Sequence, residues 1–193
     1  IVASNDLEED LIADLKRQGA KINAWGVGTH LITAHDNPAL NGVYKLVAVE
    51  MDGHWAPRIK ISSNVEKATD PGRKRLVRYF NEDAQPMGDV MYMEGEAWDV
   101  QGDVSGRQRT HPHLMARIHG AATAEDLLET VFDQGRRSRP TPVIEDVRQR
   151  ATSQIRSLPE EFKRLRNPEI YRVLLSEEVG RQKVEMLQNP DVV

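Results

Sequence analysis

Apolar and polar positions change rhythm several times along this chain of 193 residues. Ile1-Val2-Ala3 reads as the end of an apolar strand. Leu7, Leu11, Ile12 and Leu15 then recur at helical spacing, with Asp6 as the expected N-cap and Glu9 in capping-box position three residues later. Gly19 is the stop signal, Lys21-Ile22-Asn23-Ala24-Trp25 is extended, and Gly26-Val27-Gly28-Thr29 follows at once. Strand, helix, strand and glycine loop in close succession make a βαβ rhythm, in which ligands collect at the carboxyl ends of parallel strands.

Farther on, residues 43–49 are rich in β-formers and predict another strand. Residues 57–61 alternate, with Ile59 and Ile61 on one face and Arg58 and Lys60 on the other, a cationic face expected to be solvated. Pro71-Gly72 signals a turn, and residues 76–80 and 90–93 predict an antiparallel pair. The change of rhythm places a boundary near residue 65, giving an α/β region over 1–65 and an α+β lobe over 66–193. Residues 102–142 admit two readings: a helix capped by Thr123 and running through Leu127, Leu128, Val131 and Phe132, or a hairpin turning at Asp133-Gln134-Gly135. Thr141-Pro142 predicts a helix start, with Ile144, Val147, Ala151, Ile155 and Leu158 as its apolar stripe. A short helix follows from Pro159, Asn167-Pro168 breaks it, and Ser176 is the expected cap of a last helix towards Leu187.

Charge narrows the function. The 26 Lys and Arg against 30 Asp and Glu give a net charge of −4, which offers no general attraction to nucleic acid or to an anionic membrane. There is no cysteine, so no disulfide frame and no thiolate chemistry, which fits a reducing compartment. No apolar run reaches the roughly 18–20 residues of a membrane span and the first residues show no charged region followed by an apolar one, so the expectation is a cytoplasmic protein. A start inside a strand makes this the expected carboxyl-terminal part of a longer chain.

The candidate chemistry lies in two loops. Glycines at 26 and 28 let backbone amides approach phosphate oxygens, and the Thr29 hydroxyl adds a donor. Asn5 and Asp6 end the preceding strand, where a carboxylate can accept hydrogen bonds from sugar hydroxyls. A phosphosugar site is the functional reading of the pair. The bland readings are an ordinary glycine turn and an aspartate that only caps its helix. His111, His113 and His119 lack flanking carboxylates at ligand spacing and read as solvated, as does the basic run Arg136-Arg137-Ser138-Arg139. No metal site is expected.

Taken in order, Ser4-Asn5-Asp6-Leu7-Glu8-Glu9, Gln18-Gly19-Ala20-Lys21-Ile22, Trp25-Gly26-Val27-Gly28-Thr29, Gly42-Val43-Tyr44-Lys45-Leu46-Val47, Lys60-Ile61-Ser62-Ser63-Asn64-Val65-Glu66-Lys67 and Asp70-Pro71-Gly72-Arg73-Lys74 resemble the nicotinate phosphoribosyltransferase family. Leu158-Pro159-Glu160-Glu161-Phe162-Lys163-Arg164-Leu165 extends the resemblance more weakly. It implies the last βα units of an irregular type II phosphoribosyltransferase α/β barrel, joined to a smaller α+β carboxyl-terminal lobe. The implied reaction is formation of nicotinate mononucleotide and pyrophosphate from nicotinate and phosphoribosyl pyrophosphate in NAD salvage, with coupled ATP hydrolysis. Magnesium would accompany the pyrophosphate, and a homodimer is implied. On this resemblance Gly26, Gly28 and Thr29 hold the 5-phosphate and Asn5 and Asp6 face the ribose. The phosphorylated histidine and the nicotinate-binding residues of the family lie upstream, so no catalytic residue is expected here and the chain alone should be inactive. His30 stands where the family usually has Lys, and Asn41 where it usually has Gly. Nicotinamide phosphoribosyltransferase, another phosphosugar-binding barrel enzyme and a non-catalytic interaction segment are the alternative readings.

Overall fold

The computed structural model describes residues 1–39, 42–62 and 68–189. The chain divides into two compact units, Ile1–Tyr44 and Lys45–Val193. The boundary expected near residue 65 falls in 63–67, and Leu40 and Asn41 also lie outside the described residues.

The first unit follows the βαβ rhythm: β1 (Val2–Ser4), α1 (Glu9–Arg17), β2 (Ala24–Gly26) and a short α2 (Thr29–Thr33). β1 and β2 pair in parallel, Val2 opposite Ala24 and Ser4 opposite Gly26. The stripe of α1 turns inward, with Leu7 before it buried and Ile12 and Leu15 half-buried. Glu9 and Asp10 in its first turn and Lys16 and Arg17 in its last complement the helix dipole. Ala20 N donates to Leu15 O and Gly19 N to Lys16 O, the paired bonds of a Schellman stop.

The expected N-cap is corrected. Helix α1 begins at Glu9 with Glu8 in the cap position and no side-chain cap bond. Asp6 instead occupies a left-handed turn with φ 44°, which carries its carboxylate out of capping position.

In the second unit the strand expected over 43–49 forms later, as β3 (Ala48–Met51), and the alternation over 57–61 is not a strand. Its partner is β4 (His54–Pro57). The reason is Asp52-Gly53, whose φ of 51° and 78° build the two-residue turn that suits hairpin twist. That turn sets Met51 opposite His54 and Ala48 opposite Pro57.

β5 (Lys74–Phe80) and β6 (Pro86–Met93) form the expected antiparallel pair, with Val77 opposite Val90. β7 (Gly102–Gln108), β8 (Met115–Ala121) and β9 (Thr123–Asp126) follow, so the stretch that allowed a capped helix opens as strand and continues as irregular chain over 127–131. Gln134 and Gly135, at φ 46° and 76°, then close a separate ribbon of β10 (Phe132–Asp133) and β11 (Arg136–Arg137), the hairpin reading. Helix α3 (Ile144–Ser157) forms, but the Thr141 cap is corrected: Val143 is the cap residue and makes no side-chain bond. None of the residues of α3 is buried. A 3-10 turn (Glu160–Phe162) leads to β12 (Val173–Leu175) and α4 (Glu177–Gln188), where the Ser176 hydroxyl accepts from Val179 N as expected.

β12 enters the middle of the six-stranded sheet, whose order is β8-β7-β12-β6-β5-β9. It runs parallel to β6 and antiparallel to β7. Two glycines flank its path: a Cβ on Gly106 would stand 2.7 Å from Leu175 O, and one on Gly88 would stand 3.2 Å from Arg172 O. Val77, Tyr79, Val90, Tyr92, Val104, Ile118 and Leu174 pack as one core. The hydroxyls of Tyr79 and Tyr92 meet at 2.7 Å inside it, and burial pushes both phenols up.

Candidate functional site

The parallel pairing of β1 and β2 settles which candidates meet. Both strands point the same way and Ser4 stands opposite Gly26, so Asn5-Asp6 and Val27-Gly28-Thr29 leave the same edge of the pair as neighbouring loops. A Cβ on Gly26 would come within 3.2 Å of the Ser4 Cβ, so glycine allows this close approach of the two strand ends. At Gly28 a Cβ would meet nothing within 4 Å; the space in front of the loop is open.

Backbone geometry marks the first loop. Asn5 and Asp6 are consecutive residues at positive φ, 85° and 44°. Asn and Asp tolerate this conformation better than other L-residues, yet it remains sparsely populated, and such strain concentrates at ligand sites. The turn exposes both side chains.

In the second loop, Leu31 N and Ile32 N both donate to Gly28 O, closing the first turn of α2. The amides of Gly28, Thr29 and His30 precede those bonds, facing outward from the helix start. Thr29 is exposed, and its carbonyl accepts the Thr33 hydroxyl at 2.6 Å.

A crevice of about 490 Å³ also lies in this unit, lined by Glu9, Ile12, Val27, His30 and His35 among others. It sits between the two helices, and none of Asn5, Asp6, Gly26, Gly28 and Thr29 lines it. The rings of His30 and His35, both in its lining, are tilted by 43° with centroids 4.4 Å apart.

Elsewhere the histidines make local bonds. His111 Nδ1 lies 3.0 Å from the Thr110 hydroxyl, and His119 Nδ1 lies 2.9 Å from Asp103 on the exposed face. Among the described residues no group of three or more His, Cys, Asp or Glu is placed to hold a metal ion. Nor is any helix there long and apolar enough to cross a membrane.

The Asp70-Pro71-Gly72-Arg73-Lys74 motif proves to be a buried, charge-tied turn. The Lys74 ammonium donates to three carbonyls, Asp70 O at 2.7 Å, Pro71 O at 3.2 Å and Gly72 O at 2.5 Å. The Asp70 carboxylate accepts from Lys183 at 2.7 Å and from Arg109 at 2.6 Å. Burial holds the Lys74 amine below its ordinary range; Asp70 opposes that shift, and Arg109 and Lys183 add to it. Sequence reasoning missed Lys183 and Arg109, which come from α4 and the end of β7 and join Asp70 only through the tertiary fold.

Comparison with known proteins bears on all of these residues. A family model described as Nicotinate phosphoribosyltransferase C-terminal domain matches residues 73–183. A nicotinate phosphoribosyltransferase of Bacillus subtilis (strain 168) is 41% identical over 188 residues, 97% of this chain and 38% of that protein. The human nicotinate phosphoribosyltransferase is 34% identical over 182 residues, covering 92% and 32%. A crystal structure of human nicotinic acid phosphoribosyltransferase superposes with a TM-score of 0.69 at 28% identity, over 96% of this chain and 33% of that one. The chain thus spans only about a third of the length of these relatives. The two candidate loops precede the residues matched by the family model.

Proposed function

The chain belongs to the nicotinate phosphoribosyltransferase family, and from that premise we propose that the whole protein forms nicotinate mononucleotide and pyrophosphate from nicotinate and phosphoribosyl pyrophosphate. The observation that carries the reading for this chain is the meeting of the strained Asn5-Asp6 turn and the Gly26-Val27-Gly28-Thr29 loop at one strand edge. In this reading β1, α1 and β2 belong to the last βα units of an irregular α/β barrel, and the second unit is the carboxyl-terminal lobe.

Displacement at the anomeric carbon passes through a state with positive charge on the sugar. The protein's task is to fix the ribose and hold the leaving group rather than to supply a nucleophile. Gly26 and Gly28 bring backbone amides, and Thr29 a hydroxyl, to the 5-phosphate. Asn5 and Asp6 face the ribose hydroxyls, and the left-handed turn holds the Asp6 carboxylate outside the capping position, where a substrate can reach it. Magnesium fits as a companion of the pyrophosphate. One carboxylate and one carboxamide are too few for a protein cage, but Asp6 suits a magnesium ion that keeps phosphate and water ligands. It would neutralise the leaving group's charge.

ATP coupling, a homodimer and a cytoplasmic setting complete the proposal, with the nicotinate ring and the ATP-linked histidine held by upstream parts of the whole protein. The named relatives are nicotinate enzymes, which does not favour a nicotinamide enzyme, another phosphosugar enzyme or a non-catalytic segment.

Titration of phosphoribosyl pyrophosphate against the full-length protein tests the assignment. Asp6→Ala and Gly28→Val are each expected to weaken binding by about ten-fold or more, the scale of a lost charge-assisted hydrogen bond. Unchanged affinity in both removes these loops from the site. The chain by itself is expected to make no nicotinate mononucleotide.

A further inference from the structure

Strands paired in register put opposite residues on the same face of the sheet. Val2 stands opposite Ala24 and Ser4 opposite Gly26, so these four share one face of the β1–β2 pair, while Ala3 and Trp25 share the other. The two faces differ. Ala3 and Trp25 are half-buried, whereas Val2, Ser4, Ala24 and Gly26 are all exposed.

Of the four, only Ser4 has a side chain that can form a hydrogen bond. It is also the last residue of β1, directly before the Asn5-Asp6 turn and across from the first glycine of the second loop. Ser4 therefore stands between the two loops on an open face.

Glycine at 26 decides what Ser4 can reach. A Cβ at 26 would stand 3.2 Å from the Ser4 Cβ, closer than side chains ordinarily tolerate, and would fill the space beside the serine. Glycine keeps that space clear. No group among the described residues bonds the Ser4 hydroxyl, so its proton is free to point at a ligand that enters there.

We propose, resting on the phosphoribosyl pyrophosphate reading above, that Ser4 is a further substrate-binding residue whose hydroxyl donates to an oxygen of the 5-phosphate. Place and chemistry select the phosphate. The ribose hydroxyls are met by Asn5 and Asp6, farther along the chain, whereas Ser4 stands beside Gly26, where the loop assigned to the phosphate begins. A hydroxyl donating to an anionic oxygen makes a charge-assisted bond, and unlike a carboxylate it brings no charge that would repel the phosphate.

Calorimetric titration of the full-length protein with separate parts of the substrate tests the assignment. The ligands are phosphoribosyl pyrophosphate, ribose 5-phosphate, which carries the 5-phosphate without the leaving group, and pyrophosphate, which is the leaving group alone. Ser4→Ala is expected to raise the Kd of the first two about five-fold, the scale of one hydrogen bond, and to leave that of pyrophosphate unchanged. Ser4→Thr and Ser4→Val are nearly alike in shape and differ in the hydroxyl, so Ser4→Thr should keep the wild-type affinity and Ser4→Val should behave like Ser4→Ala. Unchanged ribose 5-phosphate binding in Ser4→Ala, equal losses in Ser4→Thr and Ser4→Val, or a matching loss for pyrophosphate would each overturn the assignment. Asp6→Ala and Gly28→Val, measured alongside, keep the two claims apart. If they weaken phosphoribosyl pyrophosphate binding and Ser4→Ala does not, only Ser4 leaves the site; if none of the three does, the whole site is rejected.

Discussion

The two units of the chain differ in how much core they bury and in the roles proposed for them. In the first, Leu7 is the one buried apolar side chain among the described residues, and Leu31, Ile32, Val43 and Tyr44 stand largely exposed. In the second, a six-stranded sheet buries a continuous core and α4 packs Val179, Lys183 and Met186 inward. Every residue assigned to substrate lies in the first. A two-strand edge with little core has low local stability of its own. As the proposed binding edge it needs flanking strands to hold its geometry, a second reason, beside the upstream residues, to expect the chain alone to be inactive.

Mutations can break or sharpen this contrast, read as unfolding free energy of the full-length protein in denaturant. The largest loss is expected from Asp70→Ala, which strands the buried Lys183 ammonium and should cost about 3–5 kcal/mol. Leu174→Ala, in the central strand and 1% exposed, should cost about 2–5 kcal/mol by leaving a cavity. Ser176→Ala removes the cap bond to Val179 and should cost about 1 kcal/mol. Asp6→Ala comes last, at about 0.5 kcal/mol or less, because the side chain is exposed and caps nothing. That substitution should nonetheless be the one of the four that loses phosphoribosyl pyrophosphate affinity. A comparable affinity loss in Ser176→Ala, or a large stability loss in Asp6→Ala, would erase the division.

Much of this was legible where local pattern and tertiary structure agree. The βαβ start, the β5–β6 pair and the Ser176 cap follow from periodicity and from a side chain bonding three residues away. The errors came where one short signal outranked another. Asp52-Gly53 overrides the apolar run at 43–49 and moves the strand to Ala48–Met51. Asp6 has the right chemistry for a cap, yet the left-handed turn moves the cap from Asp6 to Glu8 and the helix start with it. β12 escaped notice because three residues, Val173-Leu174-Leu175, are too few to show a period. Of the site, the pairing of the two loops was readable from their spacing. The Asp70-Lys183-Arg109 tie was not, since it joins residues up to 113 positions apart.

The position of β12 also sets a timetable. Strands β6 and β7, adjacent in sequence, do not pair with each other, and the gap between them is filled only by residues 173–175. While the chain leaves the ribosome, the β5–β6 and β7–β8 hairpins can form early, but they stay two separate pieces with facing unpaired edges until residues 173–175 have emerged. A stop codon or proteolytic cut before residue 173 would leave that seam open permanently, and such truncated products should aggregate rather than persist as a smaller folded protein.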